Sequence, residues 1–393
     1  MTRAWMWLAL FWLASLPVAV AAPALEMVQL TPASAANGWR EPAGSRVRCV
    51  LERMGQPVRI SNASWQGGTR LLAAGDVDGI YPLPVDSDWP GIAVHSAPLL
   101  LERWVWLGPG GERVAVIGGT PQATWLASQG QSVTVVADSK SQLVRLLLAG
   151  RIDQALVDEF ALERYAGPQQ AGLDQWPRRF ERYVPLGVAF HQRHGSSALL
   201  QRFNREIPAC TEGGFALNGR EQQAITAEAL PLLARLVADP RLRQLLRQRQ
   251  LPPRTEAALL AEDQLWRQRR EQGDPLLAQE QTQGPLAERL QAFDQPWLGE
   301  LFVSDNLGRA VAALRLTSDL WQGDEDKFRL AIRQPQPLIE TISYDASSHA
   351  FLVHVSQAIR QGEQTLGVVT LGVDMARLLK PEADAAVAPA ASP

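Results

Sequence analysis

The sequence predicts a mixed α/β chain in three parts: a two-lobed α/β unit over residues 22–215, a helical connector over 216–285, and a small α+β domain with an antiparallel sheet over 286–378. Three observations carry this. Up to Gly213-Gly214, short β-branched runs alternate with helical patterns. From there to Gly284-Pro285 the chain is nearly all helix-patterned, with Leu, Ala, Arg and Gln recurring through 224–236 and 257–270. Beyond that second break come five strand-like runs, at 301–303, 310–316, 339–344, 351–355 and 366–373.

The N-terminus reads as a secretory signal over residues 1–21. Arg3 supplies one positive charge, residues 4–18 are apolar apart from Ser15, and Pro17 breaks the run. Ala19-Val20-Ala21 then offers small residues for cleavage before Ala22. The run is short for a spanning helix, although an uncleaved anchor is the alternative, and no Cys follows it for a lipid anchor. No later window approaches spanning length, so the expectation is a periplasmic protein, soluble after cleavage, without direct membrane insertion. Residues 379–393, rich in Pro and Ala, are expected to be a disordered tail.

The formal charge is −3, and losing the signal removes one Arg and no acid. This slight acidity argues against nucleic acid as a partner. The basic stretch Arg241 to Arg249 interleaves Leu242, Leu245 and Leu246, which reads as the solvated side of an amphipathic helix more simply than as a binding patch. Cys49 and Cys210 are the only cysteines. In an oxidising compartment such a pair suggests one disulfide, with two buried thiols as the alternative.

Within the first unit, Leu71-Leu72-Ala73-Ala74-Gly75-Asp76-Val77-Asp78-Gly79 is echoed by Leu146-Leu147-Leu148-Ala149-Gly150-Arg151-Ile152-Asp153-Gln154. Each copy is a helix end, a terminating Gly, and a strand entered past an Asp, which suggests two similar lobes. Residues 113–117 form a strand leading into Gly118-Gly119-Thr120-Pro121, the start of a capped helix whose free N–H groups suit an anion. An ordinary cap is the plainer reading. Asp158 closes the apolar run Ala155-Leu156-Val157 and stands at a strand's C-terminal lip, where it either meets a cationic ligand or caps the next turn.

No catalytic constellation stands out. The five histidines (His95, His191, His194, His349 and His354) form no metal motif, and no nucleophile elbow is present. No cofactor is expected. Most of the 13 tryptophans read as core.

Residues of about 25–215 resemble the type 2 periplasmic solute-binding family, in its amino-acid and polar-solute branch. The resemblance rests on Trp65 and 71–79, then Ser96-Ala97-Pro98, then 114–120, then 146–158. It implies two lobes closing on a small polar solute, with Ser96, Gly119 and Thr120 on the walls and Asp158 meeting an amino group. Tyr81 is a further candidate, as an aromatic wall or as core. Amino-acid binders of this family carry an Arg shortly before the Ser-x-Pro segment; here Asp86-Ser87-Asp88-Trp89-Pro90-Gly91 has none. That departure favours an amine-bearing solute over an ordinary amino acid.

Residues of about 290–378 resemble a Cache-type (PDC-like) sensory domain, through Phe302-Val303-Ser304-Asp305, Gly308, residues 317–325, Tyr344-Asp345-Ala346-Ser347 and Leu366-Gly367-Val368-Val369. Together the two resemblances imply a non-enzymatic solute-binding sensory protein that engages an inner-membrane sensor, either a cyclase or a kinase. An uptake transporter's permease is the alternative partner, and a periplasmic enzyme on the same scaffold is a third reading. The helical connector is expected to carry the change of shape between the two domains.

Overall fold

A computed structural model describes residues 23–30, 42–85, 91–159, 162, 176–195, 198–211, 214–345 and 350–380. The expected signal segment, residues 86–90 and residues 381–393 of the expected tail lie outside the described residues.

The first unit contains β1 (Leu25–Leu30), β2 (Val58–Ala63), β3 (Gly79–Pro84), β4 (Ala93–His95), β5 (Leu100–Leu107), β6 (Val114–Ile117), β7 (Val135–Ala137), β8 (Gln154–Asp158) and β9 (Arg178–His191). They form one nine-stranded sheet in the order β2-β1-β3-β9-β5-β8-β6-β7, with β4 added alongside β9. Strands β2, β1 and β3 are parallel and make one lobe; β7, β6 and β8 are parallel and make the other. Strands β5 and β9 run antiparallel to each other and cross between the lobes. Strand β5 pairs with β8 in the second lobe, while β9 reaches β3 and β4 in the first. The sheet is therefore continuous, and the two crossing strands connect the lobes.

The internal echo is structural. Helices Trp65–Ala74 and Lys140–Leu148 each run out at a left-handed glycine, Gly75 (φ 78°) and Gly150 (φ 64°), a conformation open to glycine without Cβ strain. An Asp then precedes each following strand and ties it to the first strand of its lobe or that strand's approach. Asp78 accepts the Glu26 N–H at 2.8 Å, and Asp153 accepts the Arg113 N–H at 2.9 Å. Each carboxylate also meets an arginine, Arg193 at 2.6 Å and Arg113 at 2.5 Å.

Cys49 and Cys210 are joined in a disulfide between helices Pro42–Arg53 and Ala198–Cys210. Val47, Val50, Leu51, Phe203 and Ile207 bury the apolar faces of the same two helices in the first lobe.

The second unit holds β10 (Leu298–Asp305), β11 (Ala310–Ala313), β12 (Leu338–Ile339), β13 (Ser343–Asp345), β14 (Ala350–Gln361) and β15 (Gln364–Asp374). The sheet is antiparallel, in the order β11-β10-β15-β14-β12, with β13 also on β14. Period-two alternation sends Leu301, Val303, Val353, Val355, Leu371 and Val373 to one face. Against that face pack Ile225, Leu233, Leu236, Leu242, Leu246 and Leu290 from the helices between Gly219 and Gln291. The helical segment thus lies across the second sheet. The same core includes Leu101 of β5 and Tyr183 of β9, so the crossing strands and the second unit share one hydrophobic interior.

Candidate functional site

Parallel pairing brings the strand ends of the second lobe to one edge. Ile117 lies beside Ala137, and Ala115 beside Ala155, so the C-terminal ends of β6, β7 and β8 share one edge. Three turns leave it: Gly118-Gly119-Thr120, Asp138-Ser139-Lys140 and Asp158-Glu159. The first two open helices. Thr120 accepts the Ala123 N–H at 3.4 Å while its hydroxyl donates to the Ile117 carbonyl at 2.7 Å, and Ser139 accepts the Gln142 N–H at 3.3 Å. Both helix N-termini bring partial positive charge to this edge. Gly119 has φ 68°, and a Cβ placed there would meet nothing within 4 Å, so the space beside it is open.

Asp158 is buried, at 8% exposure, and accepts the Arg103 N–H at 3.2 Å. Lys140 lies within its field. Burial pulls the Lys140 ammonium below its usual range, while the negative charges of Asp158 and Glu102 oppose that shift. Lys140 was not among the residues expected from sequence. Its signal was there: Ser139 caps a helix directly after the β-branched run at 133–136, which places Lys140 at a strand-to-helix edge.

The other expected wall residues are held inside the first lobe. The Ser96 hydroxyl donates to the Ala97 carbonyl at 2.8 Å and accepts the Val188 N–H at 3.0 Å, at 4% exposure. It thereby fixes the turn before β5 against β9. Tyr81 is wholly buried among Met27, Leu51, Leu99 and Phe190.

Immediately behind Asp158, β5 and β9 are tied to the second unit. The Arg103 guanidinium donates to both oxygens of Glu221 at 2.6 and 3.0 Å and to the Ala216 carbonyl at 2.7 Å. The Tyr183 hydroxyl donates to Glu221 at 2.8 Å. Glu221 also closes a capping box with Asn218, which starts the first helix of the second unit. Alongside, Glu159 accepts hydrogen bonds from Asn218 at 2.9 Å and Arg220 at 2.6 Å. Burial would lower the Arg103 pKa, but the hydrogen bonds and charge of Glu221 outweigh it and hold the guanidinium above its ordinary value. Burial, and then the Glu221 charge, push the Tyr183 phenol well up, so it stays a neutral donor. Sequence reasoning found none of this network.

A second polar cluster lies on the face of the second sheet away from the large core. His354 sits between Glu300 at 3.4 Å and Glu340 at 3.3 Å. Lys327 pairs with Glu325 at 2.9 Å and lies over the Phe302 ring. Among the described residues, no group of three or more His, Cys, Asp or Glu could hold a metal ion, and no helix is long and apolar enough to cross a membrane.

No protein-family model matches the chain, and no curated protein matches it in sequence. Solved structures resemble about half of the chain in length. The ligand-binding core of GluR0 from Nostoc punctiforme, in complex with L-glutamate, is 14% identical and covers 48% of this chain and 93% of its own, with TM-score 0.39. A histidine kinase sensor domain with similarity to periplasmic binding proteins is 18% identical over 52% of this chain and 95% of its own, with TM-score 0.38. The VFT2 domain of Bordetella pertussis BvgS is 14% identical over 48% and 92%, with TM-score 0.37. At such identities and superpositions, ligand and role rest on this chain's own residues. Its two α/β lobes on crossing strands, followed by a second antiparallel sheet, are consistent with the two-lobed periplasmic-binding-protein fold.

Proposed function

We propose that this chain is a periplasmic solute-binding sensory protein: a small, polar, amine-bearing solute closes the two lobes, and a Cache-like second unit reports that closure to a membrane signalling partner. One observation carries the reading. The hinge strands that must bend during closure are held to the second unit by Arg103–Glu221 and Tyr183–Glu221 and by a shared core. A change of hinge geometry therefore strains contacts in the second unit directly. An uptake carrier has no need of such a coupling.

Asp158 and Glu102 offer negative charge to the solute's amine. Lys140 and the N-termini at Thr120 and Ser139 offer positive charge to an acidic group on the same molecule. Gly119 leaves room for close approach, and Ser96 and Tyr81 hold the facing strand ends in place. The coupling cannot exceed the solute's preference for the closed form.

Thermal-shift screening of the mature protein against amino acids, polyamines and organic acids tests the binding. A ligand that raises the melting temperature should lose most of its effect in Asp158→Asn. The same ligand should also change the protease sensitivity of the second unit. Stabilisation without any such change would leave a plain solute carrier.

A further inference from the structure

Residues 338–342 form a strap that touches both the second sheet and the junction with the crossing strands. Leu338 and Ile339 make β12, a two-residue ladder beside Ser356 and Val355 of β14. Little apolar burial holds this end, since Leu338 is half-buried and Ile339 is exposed. The next residue, Glu340, donates its N–H to the His354 carbonyl at 3.0 Å and brings its carboxylate to His354 Nδ1 at 3.3 Å. Two residues on, Ile342 is wholly buried and exchanges two backbone hydrogen bonds with Phe215, at 2.8 and 2.9 Å. Phe215 precedes Ala216, whose carbonyl accepts from Arg103 of β5. The strap thus runs from His354 to the link between the second unit and the crossing strands.

The contact at Glu340 depends on one proton. His354 stands between two carboxylates, with Nε2 at 3.4 Å from Glu300 of β10 and Nδ1 at 3.3 Å from Glu340. A neutral imidazole has one N–H and one lone pair, so it serves one carboxylate and repels the other. Only the imidazolium donates from both nitrogens, and the arrangement is that of the charged ring. The remaining charges around it are Lys327 and Glu325 from helix Asp326–Arg329 and its cap, Asp319 from the turn before them, and Asp345 of β13; β15 places Gly372 opposite His354. Loss of the ring proton affects the two carboxylates unequally. Glu300 keeps the attraction of Lys327, whereas Glu340 has no second ion pair among the described residues.

We propose that His354 is a proton-operated latch: as the imidazolium it holds Glu340, and with it the strap that secures Phe215 and the link to the crossing strands, and on losing its proton it releases them. Acid therefore ties the two units together more tightly, and alkali loosens the tie. The latch does not rest on the solute-binding reading, and its test needs no solute. Burial opposes the ring's charge, but Glu300 and Glu340 outweigh it, so the latch is fully closed below pH 6.5 and opens as the pH rises through the folded-state value.

The test is amide hydrogen exchange of the mature protein across a pH series, expressed as protection factors, which remove the intrinsic pH dependence of exchange. The His354 titration is followed by NMR on the same samples and assigned by its loss in His354→Gln. Protection of the Ile342 and Phe215 amides should fall roughly tenfold or more as His354 loses its proton, since a hydrogen bond to a charged group is removed. Val303 and Val369, inside the sheet, should keep theirs. Glu340→Gln should show the low protection at Ile342 and Phe215 at every pH, with no step. Glu300→Gln should keep the step but move it to lower pH, because one of the two carboxylates favouring the charged ring is gone. The proposal is overturned if protection at Ile342 and Phe215 stays constant through the His354 titration. It is equally overturned if the step persists unchanged in Glu340→Gln, or if Val303 and Val369 lose protection in parallel, which would make the effect global.

Discussion

Replacing Glu221 by Gln probes the link between hinge and second unit with almost no change of shape. Glu221 is 1% exposed and accepts four hydrogen bonds, two from Arg103, one from the Tyr183 hydroxyl and one from the Asn218 N–H. Glutamine removes the countercharge from a guanidinium whose side chain is 14% exposed and turns an NH₂ toward existing donors. Breaking one side of a buried pair costs about 3–5 kcal/mol, and the weakened capping box adds to that. A loss of about 3 kcal/mol in unfolding free energy is a conservative expectation, since Arg103 keeps the Ala216 carbonyl as a partner. The control is Glu26→Gln. Its ion pair with Arg59 has side chains 46% and 74% exposed, so it should change stability by no more than about 0.5 kcal/mol. Urea denaturation of both variants, of Arg103→Met and of Arg103→Met/Glu221→Gln gives a coupling energy, expected at about 2 kcal/mol or more. If Glu221→Gln is no worse than the control, or if the two changes are additive, the hinge is not held by this network and the reasoning fails.

Three other outcomes are expected. Reducing Cys49–Cys210 releases a loop spanning 161 residues, which in the chain-entropy account should cost about 5 kcal/mol; a melting temperature unchanged by reductant would contradict it. His354 is held above its ordinary 6.5, with burial opposing and Glu300 and Glu340 prevailing. Its stabilisation is therefore full below pH 6.5 and fades as the pH rises through the folded-state value. His354→Gln should flatten that slope in urea titrations, with Lys327, Glu325 and Asp345 as the surrounding charges; a parallel slope would assign the pH dependence to other groups. Once a solute is in hand, Asp158→Asn should weaken its binding by about 1–2 kcal/mol in calorimetry, and unchanged affinity with intact stability would make Asp158 a structural residue only.

The features legible in the sequence are those that neighbouring residues settle between themselves. Thr120 and Pro121 mark a helix start because the cap bonds a backbone N–H three residues on. Gly75 and Gly150 mark helix ends because the left-handed turn needs no partner elsewhere in the chain. The Arg241-to-Arg249 stretch is an amphipathic helix with Leu242, Leu245 and Leu246 buried, as its spacing requires. The runs at 301–303, 351–355 and 366–373 read as strands and lie within β10, β14 and β15. The pairing of Cys49 with Cys210 was legible because there were only two thiols to join.

What depends on distant contact was not legible. Arg103 and Glu221 are 118 residues apart, and nothing local distinguishes either from a solvated charge. Lys140 gained its meaning from Asp158 and Glu102, which only the sheet order brings near it. The helical segment looked like a connector because its periodicity shows that one face is buried but not against what. Its apolar residues cover the second sheet and meet Leu101 and Tyr183 of the hinge. Sequence determined the elements and the polarity of their faces through local hydrogen bonds and spacing. Only the tertiary structure decided which faces and charges meet, because hydrophobic burial is non-directional and a pattern of apolar positions does not name its partner.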